Sequence, residues 1–444
     1  MAPMPAAHRL VFVLVSILIV AAVAVLGLRA GGAEIGLGPH GTPTADPSAS
    51  SVAGPSLEPS VEASASPDTS APSEAEVQAT LAEIQEQVIA IRGLEAADIG
   101  PAEIITREEL GDELLQLFDE QYPLEEREAD NITLRALGLL EPDQDVADLQ
   151  LELLGDSVLG FYDDIEKRMV VVSDAGFDVE ARITFAHEYT HALQDAAFGM
   201  DSLETDAAGE DDRGLARTAL IEGDATVTML SWMLQHLDQG EILEYFESAE
   251  IPDTSGIPSW MVAQLAFPYE GGLTWATALG GGDPTNPDFA EIDAAYGEPP
   301  DSTEQIIHLD AWESREAPIE VAVPDLAAAL GEGWEEVDAT PIGQATINIV
   351  LEYLGVPLAD ATDAADGWGG DRAVIATGPD DAFAVAWILA WDTDQDAAEF
   401  LAAYETVIGA LDFPASVTEL PSGEILVVHA SSEALLTETV DAAD

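Results

Sequence analysis

The chain has 444 residues, with 86 Asp plus Glu against 13 Lys plus Arg and a formal net charge of -73. Such a field repels a phosphate backbone, and the basic clusters that nucleic-acid binding needs are missing, so nucleic acid is excluded as a partner and an anionic lipid surface is disfavoured. There is no cysteine, hence no disulfide, thiolate ligand or cysteine nucleophile, while a hydrophobic content of 47% suffices for a core.

From the N-terminus, residues 1–9 read as a short cytoplasmic tail. Residues 10–28 follow as an apolar run broken only by Ser16 and Gly27, with Arg9 before it and Arg29 after it. As a helix it would be roughly 28 Å long, enough to cross a bilayer core, and it predicts a single-pass membrane anchor with the bulk of the protein outside the cytoplasm. The small residues Ala22-Val23-Ala24 offer the other reading, a signal peptide whose cleavage releases a secreted protein. Residues 29–75 are rich in Pro, Ser and Ala, as in TPTADPSASSVAGPSLEPSVEASASPDTSAPS, and predict a disordered stalk.

Folded structure is predicted from about Glu74, where Val77, Leu81, Ile84, Val88 and Ile91 recur at helical spacing. Further helices are expected in REELGDELLQLFDEQY and LQLELLGDSVLGFY. RMVVV, with three successive valines, reads as a short buried strand.

ARITFAHEYTHALQDAAF comes next and predicts a helix of four or five turns. Residues four apart lie on one helical face, so His187 and His191 can offer two imidazole nitrogens to one tetrahedral Zn2+. Glu188 is then placed to take a proton from the attacking water, which zinc acidifies to a pKa of about 7. A catalytic zinc needs a third protein ligand. The strongest candidate is Glu222, in RTALIEGDATVTMLSWMLQHL, whose apolar residues predict a second amphipathic helix.

HEYTHALQD followed by ALIEGDAT resembles the gluzincin type of zinc metallopeptidase, in which a glutamate on the following helix completes the metal site. The resemblance implies His187, His191 and Glu222 as ligands and Glu188 as the catalytic glutamate. The thermolysin-like pattern has an aspartate four residues after the ligand glutamate. This chain has Thr226 there, so Asp224 or Asp195, the latter slightly preferred, is expected to orient a ligand imidazole. The resemblance also calls for a group that stabilises the oxyanion, and Tyr269 in FPYEGGLTW and His308 in PPDSTEQIIHLDAW are the two candidates. GFYDDIEKRMVVV resembles the hairpin or edge strand that borders the cleft in such enzymes, where a peptide could add as a strand.

Beyond about Pro318, PIGQATINIVLEYLG and QDAAEFLAAYETVIG read as helices, and RAVIATG, AFAVAWILAW and EILVVHA as strands. Segments such as GWGGDRAVIATG resemble the tails of surface-anchored proteins with the same zinc motif. Asn131-Ile132-Thr133 is a formal glycosylation acceptor.

The expectation is thus an α+β protein: a mainly helical zincin-like domain with a small sheet over residues 76–316, and a small C-terminal α+β unit over 317–444. It would be a membrane-tethered hydrolase of peptide or protein substrates. The reading from another class is a non-catalytic, zinc-containing surface binding or sensor protein.

Overall fold

The computed structural model of the protein describes residues 72–155, 158, 160–172, 177–248 and 254–443, and its architecture is α+β. The predicted anchor at 10–28 and nearly all of the predicted stalk lie outside the described residues. Among the described residues, no helix is long and apolar enough to cross a membrane.

The chain enters through α1 (Glu74–Arg92), opened by a reciprocal Ser73/Glu76 capping box and closed by Gly93 at φ +79°. Its buried stripe is Val77, Leu81, Ile84 and Val88, as the spacing predicts, with Arg92 buried beside them at the last turn. After β1 (Glu103–Ile105) come α2 (Arg107–Gln121), α3 (Leu124–Ala136) and α4 (Val146–Gly155). Asn131 on α3 is buried; its oxygen accepts from Val146 N at 2.9 Å and its amide donates to Asp145 at 2.7 Å. Those bonds hold the start of α4, and so occupied a side chain is unsuited to receive a glycan.

β2 (Gly160–Asp163) and β3 (Arg168–Val172) form an antiparallel hairpin, and β1 joins β3 in parallel to give the order β1-β3-β2. The central place of β3 explains its uninterrupted valines, since Val170, Val171 and Val172 are all buried. Against β2 and β3 packs α5 (Val179–Phe198), N-capped by Asp178, with residues 183–194 buried all round. α6 (Asp211–His236) is likewise buried on almost every face, and packs on α5 and on α8 (Ser259–Leu279). Between them runs α7 (Gln239–Ser248).

α6 and α8 meet backbone to backbone. A Cβ on Gly223 or on Gly272 would run into the other helix, at the Gly272 carbonyl in one case and the Ala219 carbonyl in the other. Only glycine permits this approach, and it sets Tyr269, one turn before Gly272, against the part of α6 that carries Glu222. α9 (Ala290–Gly297), α10 (Glu304–Ile307) and α11 (Leu309–Ser314) then complete the helical part.

The C-terminal part begins with α12 (Leu326–Leu330) and holds a fully antiparallel sheet in the order β4-β5-β6-β8-β7. Its strands are β4 (Glu335–Thr340), β5 (Trp368–Gly378), β6 (Ala382–Trp391), β7 (Ala415–Glu419) and β8 (Ile425–Ala430). β6 shows the two-residue period: Val385, Trp387 and Leu389 face α13 (Gly343–Tyr353), α14 (Leu358–Ala365) and α15 (Asp394–Val407). Ala384, Ala386 and Ile388 face the other side, with Leu326 of α12 and Leu435 of α16 (Glu433–Ala443).

Two buried polar joints tie this unit to the helical part. His429 on β8 faces the Ala136 carbonyl at 2.8 Å through Nδ1 and Tyr404 Oη at 2.8 Å through Nε2. At the second joint, Thr303 N donates to the Asp212 carboxylate at the start of α6, and Thr303 Oγ1 accepts from Ala345 N at 3.1 Å.

Candidate metal centre

The helical spacing in HEYTH does what it predicts: the rings of His187 and His191 stand edge to face, 4.7 Å between centroids, so that both Nε2 atoms converge. Glu222 arrives from α6. His187 Nε2 lies 3.1 Å from Glu222 Oε2 and 3.1 Å from His191 Nε2, and His191 Nε2 lies 3.5 Å from Glu222 Oε2. All three residues are at most 4% exposed, and among the described residues they form the one group of three His, Asp or Glu close enough to hold an ion.

These separations allow a test of fit. Four ligands around a tetrahedral zinc at about 2.0 to 2.1 Å are spaced roughly 3.3 Å apart. The three observed spacings bracket that figure, and the donor set of two imidazoles and a carboxylate suits a divalent transition metal. Buried charge shapes the same atoms. Burial works against the imidazolium of His191, but the Glu222 carboxylate, its hydrogen bond and nearby Glu188 together raise the His191 pKa. Burial works against the Glu222 carboxylate too, and the charge of His191 with the hydrogen bonds from both rings outweighs it, so its pKa is lowered. The carboxylates of Glu222 and Glu188 therefore favour positive charge on the His191 ring.

Glu188 is buried next to this cluster, and its Oε2 accepts the Tyr162 main-chain N–H at 3.1 Å. That amide lies on the outer edge of β2, the strand predicted to border a cleft, and Glu188 occupies it. Tyr269 is brought to the site, its ring centroid 6.2 Å from that of His187. His308 is engaged elsewhere: its Nε2 faces Gln344 Nε2 at 2.9 Å and Asp366 Oδ1 at 3.0 Å, at the junction with the C-terminal unit.

The slightly preferred orienter, Asp195, does not meet a ligand histidine. It accepts from Tyr162 Oη at 2.8 Å and pairs with Lys167, pinning the hairpin to α5. Asp224 does belong to the site, one step removed. The group that touches a ligand is Gln194, whose Oε1 lies 2.8 Å from His191 Nδ1. Gln194 Nε2 donates to the Ile221 carbonyl at 3.0 Å and to Asp224 Oδ2 at 2.9 Å. Asp224 also accepts from Tyr296 Oη at 2.8 Å and from Arg92, Nε at 2.7 Å and an Nη at 3.1 Å.

Sequence reasoning missed Gln194, Arg92 and Tyr296. Gln194 had a signal, since position i+3 from His191 shares its face. Arg92 had a weaker one, an arginine ending a stripe of core residues in a chain with 13 basic residues.

Comparison with protein families matches residues 330–437 to a domain of unknown function (DUF8575), a stretch running from the end of α12 into α16. No curated protein and no solved structure matches the chain.

Proposed function

We propose that the protein is a zinc-dependent peptidase of the gluzincin type, with a zincin-like helical domain that holds the metal through His187, His191 and Glu222. The observation that carries this reading is the convergence of those three donor atoms at tetrahedral spacing with Glu188 buried alongside. Zinc, when bound, supplies Lewis acidity to the scissile carbonyl and to the attacking water. Glu188, oriented by the Tyr162 amide, takes the proton from that water and passes it to the leaving amine. Tyr269, beside His187, is the residue best situated to steady the negative charge on the former carbonyl oxygen. On this reading the apolar run 10–28 tethers the enzyme to a membrane with the catalytic part outside the cytoplasm, where it meets peptide or protein substrates.

One observation favours a second reading. The ligands and Glu188 are nearly inaccessible to solvent, as suits a zinc held for structure in a surface binding or sensor protein. The two readings part at Glu188, because a structural zinc does not need it.

The deciding experiment quantifies zinc in the purified full chain and follows cleavage of a general peptide substrate by wild type and Glu188→Gln. The peptidase reading expects about one zinc per chain in both proteins and a rate about 10²- to 10⁴-fold lower in the variant. A variant that kept full activity would overturn the mechanism. A zinc-loaded but inert wild type would favour the sensor reading, and a wild type that took up no zinc would overturn both.

A further inference from the structure

A metal-binding imidazole is held in one tautomer and one orientation by whatever its second nitrogen meets. The two histidines differ here. His187 Nδ1 is buried with no hydrogen-bond partner, whereas His191 Nδ1 faces Gln194 Oε1 at 2.8 Å. An amide can present either its oxygen or its nitrogen, so the choice must be made by other contacts. In the reverse orientation Gln194 would set its oxygen against two acceptors, the Ile221 carbonyl and the Asp224 carboxylate. That arrangement is repulsive, so the Gln194 oxygen is committed to His191.

Asp224 can make this choice only if its own charge stays in place, and two elements hold it there. Arg92, from the last turn of α1, grips both carboxylate oxygens, and Tyr296 from α9 donates to one of them. Arg92 is itself buried, pairs with Asp293 at 2.6 Å, and lies over the Phe289 ring at 4.5 Å. We infer that Gln194 is the positioning residue of the metal centre, fixing His191 with Nδ1 protonated and Nε2 free to ligate, and that the buried Arg92–Asp224 pair acts through it. This rests on the triad being a metal site, and adds that His191 is the pre-set ligand while His187 is free to adjust.

The test uses the full chain stripped of metal with a chelator. Zinc affinity is measured by competition with a chromophoric chelator, and the visible spectrum is recorded after loading with cobalt. Gln194→Met keeps the side-chain length and removes both amide contacts. It is expected to weaken zinc binding about 10- to 100-fold and to alter the cobalt bands. Tyr296→Phe, which deletes only a hydroxyl at the far end of the relay, is expected to weaken binding by a smaller but measurable factor, and it guards against a poorly folding Gln194 variant. Ser231→Ala removes a partly buried bond of α6 to the Pro284 carbonyl, outside the relay, and is expected to change neither readout.

If wild type binds zinc and both relay variants bind it equally tightly with an unchanged cobalt spectrum, the inference is overturned while the metal site stands. An equal loss in Ser231→Ala would also overturn it, by reducing the effect to general loosening. Absence of zinc binding in wild type overturns the metal site itself.

Discussion

The two oxyanion candidates separate at the level of single side chains. Tyr269 has its ring beside His187, while His308 is held by Gln344 and Asp366. The consequence is a pair of expected outcomes. Tyr269→Phe should lower kcat about 10²- to 10³-fold, the scale of losing one oxyanion donor, with zinc content unchanged. His308→Ala should leave kcat nearly intact. Equal losses in the two variants, or none in Tyr269→Phe, would remove Tyr269 from the mechanism. The two histidines and Glu188 were legible in the sequence because an i,i+4 spacing fixes geometry locally. Tyr269 could be named only by resemblance, because its position depends on how a helix beginning 68 residues after His191 crosses α6.

Elements were legible where burial follows one simple period. The strand AFAVAWILAW, the valine run of β3 and the helical stripe of α1 all appear as predicted. What stayed hidden was α8. Pro268, Gly271 and Gly272 normally punctuate a chain, yet all three lie within one helix of 21 residues, since Gly272 is required for the approach to α6. The seat of the C-terminal sheet on α3 was hidden as well, and it makes a prediction about acid. Burial lowers the His429 pKa to about 4, against the ordinary value of 6.5. The folded protein thus favours the neutral ring. That contribution to stability is complete above pH 6.5 and disappears as pH falls towards 4, a change of about 3 kcal/mol. Acid also relieves the repulsion among carboxylates, so the comparison must be internal. The stability of wild type relative to His429→Gln, from denaturant unfolding at each pH, should shrink between pH 6.5 and 4, and a constant difference would contradict the assignment.

For the molecule as a whole the governing quantity is the net charge of -73. Like charges on a compact body repel more than on an extended chain, and salt shortens their reach from about 30 Å at 0.01 M to about 3 Å at 1 M. The melting temperature should therefore rise by several degrees from low to molar sodium chloride, and a flat profile would contradict this account. Against this background the burial of Arg92 has a consequence for the order of assembly. Its partners and neighbours, Phe198, Asp224, Phe289 and Asp293, all lie more than 100 residues further along the chain. On the ribosome, α1 emerges well before these partners, carrying a cation that cannot be desolvated until residue 224 has been made, and its full surroundings wait for residue 293. This helix is then synthesised long before it can settle, and a nascent chain shorter than this leaves α1 unseated.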